Sequence, residues 1–463
     1  MRACLPCLAA LLWGLSSACT FSPPSFGGAD AVTVVPTDAS EPDAQAQPDT
    51  GARLDAGAPD AQAPDAQAPD AGVMDAMPED ASPMDTGPVD MGTPDGGTPD
   101  TGPPDAGTPD SGPPDAGVFI CGDGRIEGTE QCDDDNFLPN DGCTGCMIDP
   151  GWVCVLMPSR CTDGPLVEYV DAANPNCDDG DDENGEPWCE INDALSEDPE
   201  LIIVSPGRYQ EALVIDSNTE VLLHAPQGAT ISDSGGSVLV RSGGRAIVSG
   251  FVIEGGVKVE HNDSELTLWD NVIGPSPRKG IDAKNGTVLT MARNLVINND
   301  EGGIYLDSDR GYTIVNNVIV SNGGGNRADF GGVRIKRTNL TARFANNSIS
   351  LNVVMGQPGG IRCDMVAQVR NTIVWGNTGN AATGISTDCQ AQYSLLEAPD
   401  TGLGLISADP LFLDPLLHIA PNSPARDVGS ILGVQPLGPA PVDDFDRRSR
   451  PQGLRVDLGA YEL

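Results

Sequence analysis

Residues 271–281 read NVIGPSPRKGI, residues 294–304 read NLVINNDEGGI and residues 317–333 read NVIVSNGGGNRADFGGV. Each stretch opens on an Asn with an aliphatic residue two places later, and each closes on a Gly that precedes an alternating strand. The Asn mark recurs as Asn271 with Ile273, Asn294 with Val296, Asn317 with Ile319, Asn347 with Ile349 and Asn371 with Ile373. Gly250 with Val252 fits one unit earlier. The Gly mark recurs as Gly280-Ile281, Gly303-Ile304, Gly332-Val333, Gly360-Ile361 and Gly384-Ile385. Steps of 23 residues, lengthened by insertions around 323–330 and 355–359, give one coil per repeat.

A repeat of this length with several short strands, no helical period and a fixed Asn is a right-handed parallel β-helix, an all-β solenoid. Coils stack at ~4.8 Å, so equivalent residues form columns. The Asn column at 271, 294, 317, 347 and 371 reads as a structural ladder. Asn tolerates a left-handed corner, and its amide can pass hydrogen bonds from coil to coil.

Strand alternation then assigns faces. The inward column is Ala283, Leu306, Ile335, Cys363 and Thr387; the outward one is Lys284, Asp307, Lys336, Asp364 and Asp388. A neighbouring outward column holds Asp282, Tyr305, Arg334 and Arg362. Opposite charges on successive coils predict an exposed ladder that stabilises stacking. The alternative is a groove for an acidic glycan, with Arg334, Arg362 and Lys336 as cations and Tyr305 as a platform.

Upstream the composition changes. Met1 to Ala18 has one cation, Arg2, an apolar run from Leu8 to Leu15 and small residues before Cys19, the layout of a secretory signal peptide. The small residues before Cys19 resemble a bacterial lipobox, which implies lipidation of Cys19 and a lipidated N-terminus over 19–29. Thr20 replaces the Asp that marks inner-membrane retention, so the resemblance implies an exported protein anchored at the outer membrane or cell surface, meeting membrane through its lipid only.

Residues 30–117 hold 19 acids against the single base Arg53, with Asp at every fifth position from Asp55 to Asp115. That period suits neither helix nor strand, and charge repulsion with proline stiffness predicts a disordered stalk. Fully extended it could reach on the order of 200 Å. The chain's formal net charge of -43 argues against nucleic acid as a partner, because phosphate binding needs clustered cations.

Of 13 cysteines, Cys4 and Cys7 leave with the leader and Cys19 is the lipid site, so ten remain. Cys121, Cys132, Cys143, Cys146, Cys154 and Cys161 crowd one block; Cys177 falls near Cys189, and Cys363 near Cys389. In an exported chain these predict disulfides, with covalent closure replacing a core in the block. Six cysteines allow 15 pairings, among which the sequence does not choose. Cys363 and Cys389 have inward parity on adjacent coils but are two residues out of register, so their bond requires a bend after Thr387.

The block CGDGRIEGTEQCDDDNFLPNDGCTGCMIDPGWVC (121–154) resembles the cysteine-rich, EGF-like repeat of secreted myxobacterial proteins, which implies an extracellular module over 118–163 without assigned chemistry. Calcium is the one cofactor the acids admit, at Asp133, Asp134, Asp135 and Asp141 or in the loop of Asp179, Asp181, Glu183 and Glu190; solvated acidic loops are the simpler account of both.

VEYVDAANPNC (167–177), LIIVSPGRYQEALVI (201–215), SPARD (423–427) and DLGAYEL (457–463) resemble pectin-lyase-like β-helix proteins with a choice-of-anchor Q ending. The resemblance implies a β-helix over 164–396 and a capping segment over 397–463 that covers the last coil's edge. Gly207 to Glu211 resembles a structural motif of pectin methylesterases, and Arg334-Ile335-Lys336 resembles the polygalacturonase Arg-Ile-Lys, without the accompanying catalytic motifs of either. No catalytic residue is assigned, and His224, His261 and His418 stand apart from nucleophiles and metal-ligand spacings.

The expected function is therefore surface presentation of a β-helix for binding or adhesion, to polysaccharide or another envelope component. An extracellular lyase or glycoside hydrolase, and a passive spacer, are the alternatives. The oligomeric state is left open.

Overall fold

The computed structural model describes residues 120–177, 186–216, 219–382, 384–398, 401–430 and 443–463. The leader at 1–18, Cys19 within 19–29, the stalk at 30–117 and the acidic loop at 178–185 lie outside them.

Alternation builds the walls of the solenoid. In the strand Lys279–Lys284, Ile281 and Ala283 are buried while Asp282 and Lys284 face outward. Such strands stack in parallel as a seven-membered sheet: Leu213–Ile215, Val238–Val240, Val257–Val259, Lys279–Lys284, Gly302–Asp307, Val333–Arg337 and Ile361–Cys363. Its register aligns Ala283 with Leu306, Leu306 with Ile335 and Ile335 with Cys363, all inside the core.

Two more parallel arcs close each coil. One includes Glu265–Trp269, Val288–Ala292, Tyr312–Val315, Arg343–Ala345, Ala367–Arg370 and Cys389–Gln392; the other includes Leu295–Ile297, Val318–Val320, Ser348–Ser350 and Ile373–Trp375. The long strands Glu220–Ser232 and Arg245–Glu254 run through both arcs. The result is a parallel β-helix filled by aliphatic stacks.

Asn271, Asn294, Asn317 and Asn347 form a continuous buried ladder. The Oδ1 of each later Asn accepts both the backbone N–H and the Nδ2 of the one before it, at 2.9–3.1 Å. Asn371 does not continue the column. Thr372 Oγ1 accepts the Asn347 N–H, and Ser394 Oγ then accepts that of Thr372.

The reason lies one residue upstream. The left-handed corner is the residue before each ladder Asn: Asp270, Arg293, Asn316 and Asn346 have φ of 54–58°. Asn371 (φ 44°) belongs to that corner row and exchanges hydrogen bonds with the Ser430 backbone. Gly250 also sits in the corner row, with Phe251 at the ladder position, where its N–H meets Asn271 Oδ1. The ladder residues are Asn for their amides, not for a left-handed backbone.

At the first coil, the helix Ile191–Ser196 places Ile191 and Ala194 on the core. Glu211 accepts the backbone N–H groups of Ile191 and Asn192, so the acid of the methylesterase-like stretch caps a helix.

The C-terminal segment meets both the last coils and the flank of the solenoid. Ile406 bridges to Leu395 at the last coil. Ile419, Ala425 and Leu458 pack against Ile373 and Leu395 of the last coils, while Leu417, Phe445 and Tyr461 pack along the flank against Val272, Leu295, Val318 and Val320. Those outward-facing aliphatics on successive coils form an apolar stripe that must be covered.

Candidate functional site

The cysteine module is closed by Cys121–Cys146, Cys132–Cys143 and Cys154–Cys161, and the solenoid by Cys177–Cys189 and Cys363–Cys389. A turn at Ser386–Cys389 supplies the bend that brings Cys389 back to Cys363. Asp133 is buried at the module's centre and accepts backbone N–H groups from Gly122, Asp123, Gly124 and Asp135. A carboxylate ringed by donors already has its counter-charge, so Asp133 fixes the loop. Glu130, Asp133 and Cys146 lie within 4.8 Å of one another, but the Cys146 sulfur is bonded to Cys121.

The outward face of the seven-membered sheet carries the charged residues. Lys258, Asp282, Tyr305, Arg334 and Arg362 are in register on five consecutive strands, a row about 19 Å long at ~4.8 Å per strand. Arg334 and Arg362 converge on Asp364, at 2.6 and 2.8 Å, and Arg334 also pairs with Asp329. Lys336 reaches Asp307 at 3.0 Å, but a register shift places Arg337, not Lys336, opposite Asp307. Both bind the same carboxylate.

Burial alone would raise the pKa values of Asp307 and Asp364, but hydrogen bonds from Arg337 and Lys336, and from Arg334 and Arg362, hold both below the usual carboxylate range. Neither can supply the proton that glycoside cleavage demands near neutrality. From Asp307 to Asp364 the face is a mutually neutralised stacking ladder.

Tyr305 is not a platform. It is 7% exposed, and Lys279 Nζ lies 4.3 Å from its ring centroid, with Arg334 also over the ring. Its hydroxyl bonds Asp307 at 3.3 Å. The ring seats cations instead of presenting a stacking surface.

The chemistry changes at the row's Lys258 end. A cleft of about 290 Å³ is floored by Gly235, Gly236, Gly255 and Gly256 and bordered by Lys258, Arg278, Lys279 and Arg327 against Asp282 and Glu301. A Cβ on Gly236 would meet open space, whereas on Gly255 or Gly256 it would collide with the backbone oxygens of Asp233 or Lys279; the charged rim carries two more cations than acids. In a chain of net charge -43 this is a local excess of cations. Strand alignment on the Gly mark places Lys258, Lys279 and Asp282 but not Arg278, Glu301 and Arg327, which come from the connections between strands; the Gly235-Gly236 and Gly255-Gly256 pairs were the available signal.

A family model described as a domain of unknown function (DUF4215) matches residues 118–147, the part of the module spanned by the Cys121–Cys146 and Cys132–Cys143 bonds. No curated protein and no solved structure matches the chain.

Proposed function

We propose that the chain is an exported surface lipoprotein, anchored through Cys19, whose stalk displays a pectin-lyase-like β-helix that binds an acidic polysaccharide or a similarly anionic envelope component. The observation that carries this reading is the cation excess around the glycine-floored cleft, set at one end of an in-register polar row. The self-neutralised row supports binding over cleavage, since Asp307 and Asp364 are held as carboxylates.

The test is retention of polygalacturonate against neutral dextran on the immobilised mature chain, with reducing ends assayed in parallel. Saturable retention of the acidic polymer alone, weakened by salt and lost in the Lys258→Glu/Arg327→Glu double variant, is expected. New chain ends would make the protein an enzyme. Retention of neither polymer would leave the spacer role.

A further inference from the structure

Three arginines of the described residues are buried to nearly the same extent: Arg293 and Arg450 at 7% exposure and Arg370 at 8%. Two are clamped by acids, Arg293 by Asp270 and Asp443 and Arg450 by Glu462. Arg370 has no carboxylate partner among the described residues, and its Nε and Nη1 are out of solvent without an acceptor. Burial pushes its pKa down. An unpaired buried guanidinium is costly, and a fold that needed only packing there would do better with an apolar side chain.

Arg370 follows the fully buried Val369 on the strand Ala367–Arg370 and lines a recess of about 320 Å³. The walls are mostly apolar, with Leu340, Val366 and the ring of Tyr312. Gln368 also lines the recess; its Nε2 donates to Gln390, while its Oε1 is buried without a donor. The recess thus sets apolar walls beside Arg370, whose Nε and Nη1 lack acceptors, and Gln368, whose Oε1 lacks a donor; both side chains must turn for these atoms to meet a ligand.

We propose that this recess binds a small organic carboxylate with an apolar body and a hydrogen-bond donor beside the carboxylate, as in an N-acylated apolar amino acid. The carboxylate pairs with Arg370, the donor meets Gln368 Oε1, and the apolar body lies against Leu340 and Val366. This site is independent of the anion cleft and of the surface reading above.

The test is titration of the full mature chain at neutral pH, followed by calorimetry and amide chemical shifts, with three probes: N-acetyl-leucine, its neutral amide, and 4-methylpentanoate, which lacks the donor. N-acetyl-leucine is expected to bind, the amide at least about tenfold more weakly because the charge-assisted pair is lost, and the plain acid between them. Arg370→Met should abolish binding without lowering the unfolding midpoint; Gln368→Leu should erase the preference for N-acetyl-leucine over 4-methylpentanoate. No binding by N-acetyl-leucine, or equal binding by acid and amide, would overturn the proposal. So would undiminished binding of N-acetyl-leucine by Arg370→Met, or by Arg370→Gln should the Met variant fold poorly, since Arg370 would then be structural.

Discussion

Gly303 lies directly against the side-chain amide of Asn322. A Cβ on Gly303 would come within 3.2 Å of Asn322 Nδ2 and collide with the Gly332 carbonyl oxygen on the next coil. The same fit recurs between Gly332 and Asn352 and between Gly360 and Asn377. The glycine column exists because a second buried ladder, Asn299, Asn322, Asn352 and Asn377, turns the chain into the seven-membered sheet.

Asn322 therefore carries more stability than a surface Asn. Its amide donates to Val296 O, Val320 O and Asn352 Oδ1, and its Oδ1 accepts from Asn299. Asn322→Ala should cost at least about 1–3 kcal/mol, the penalty of leaving buried partners unsatisfied. Exposed Asn326→Ala, four residues away, should change little. Guanidinium unfolding of both variants checks this, and equal midpoints would mean that water replaces the ladder.

The terminal motif makes a different demand. Arg450 and Glu462 form a buried pair at 3.0 Å; Arg450 also donates to the Asp457 and Gly459 carbonyls, while Glu462 accepts from the Gln452 and Asp457 backbones. Glu462→Leu leaves the guanidinium uncompensated and should destabilise by roughly 3–5 kcal/mol. Changing Arg450→Met in addition should recover part of that loss. A double-mutant cycle read by thermal unfolding measures the coupling, and additive losses would argue against a coupled pair.

Much of this architecture was readable because the solenoid repeats its solution: Asn271, Asn294 and Asn317 recur at 23-residue steps, Asn347 follows after one insertion, and strand parity alone placed Leu306, Ile335 and Cys363 inside. What escaped were features set by single-residue offsets. Asn371 has the right residue type and approximate spacing but occupies the corner row, one place before Thr372. The second ladder, five residues after the first, was hidden in Gly- and Asn-rich turns that resemble loops. Tyr305 showed its outward parity, but nothing in its strand reveals that Lys279 and Arg334 cover the ring. The Arg370 recess joins strands to the loop around Leu340, a juxtaposition that no local pattern encodes.

The Cys363–Cys389 bond ties the strand Ile361–Cys363 to the start of the next coil across 26 residues of sequence. Both cysteines are buried in the solenoid core, so the bond also fills the end of the aliphatic stack. Replacing both with Ala should cost about 2–4 kcal/mol. Hydrogen exchange would show whether the loss is confined to the terminal coils: faster exchange at Ile361 and Cys363 with unchanged protection near Ile281 is the expected pattern. Uniform loss along the solenoid would mean that the coils unfold as one unit.

The docking of the C-terminal segment should depend on pH through His418. Its ring stacks on Tyr461 at 3.9 Å, and its nitrogens meet Asp414 at 2.7 Å and Asp446 at 3.2 Å. Burial alone would lower its pKa, but the hydrogen bonds to Asp414 and Asp446 outweigh that effect and raise it to about 9. The folded chain thus holds the imidazolium proton more tightly than the unfolded one, whose His titrates near ~6.5. The stabilisation is complete below the unfolded value and disappears as pH rises through the folded one. Because Tyr461 packs on the Val272–Leu295–Val318 stripe, the loss falls where the segment meets the solenoid. Thermal midpoints should decline between about pH 6.5 and about pH 9, and His418→Gln should flatten that decline. A His418→Gln curve parallel to the parent's would assign the pH dependence to other groups and leave His418 as a packing residue.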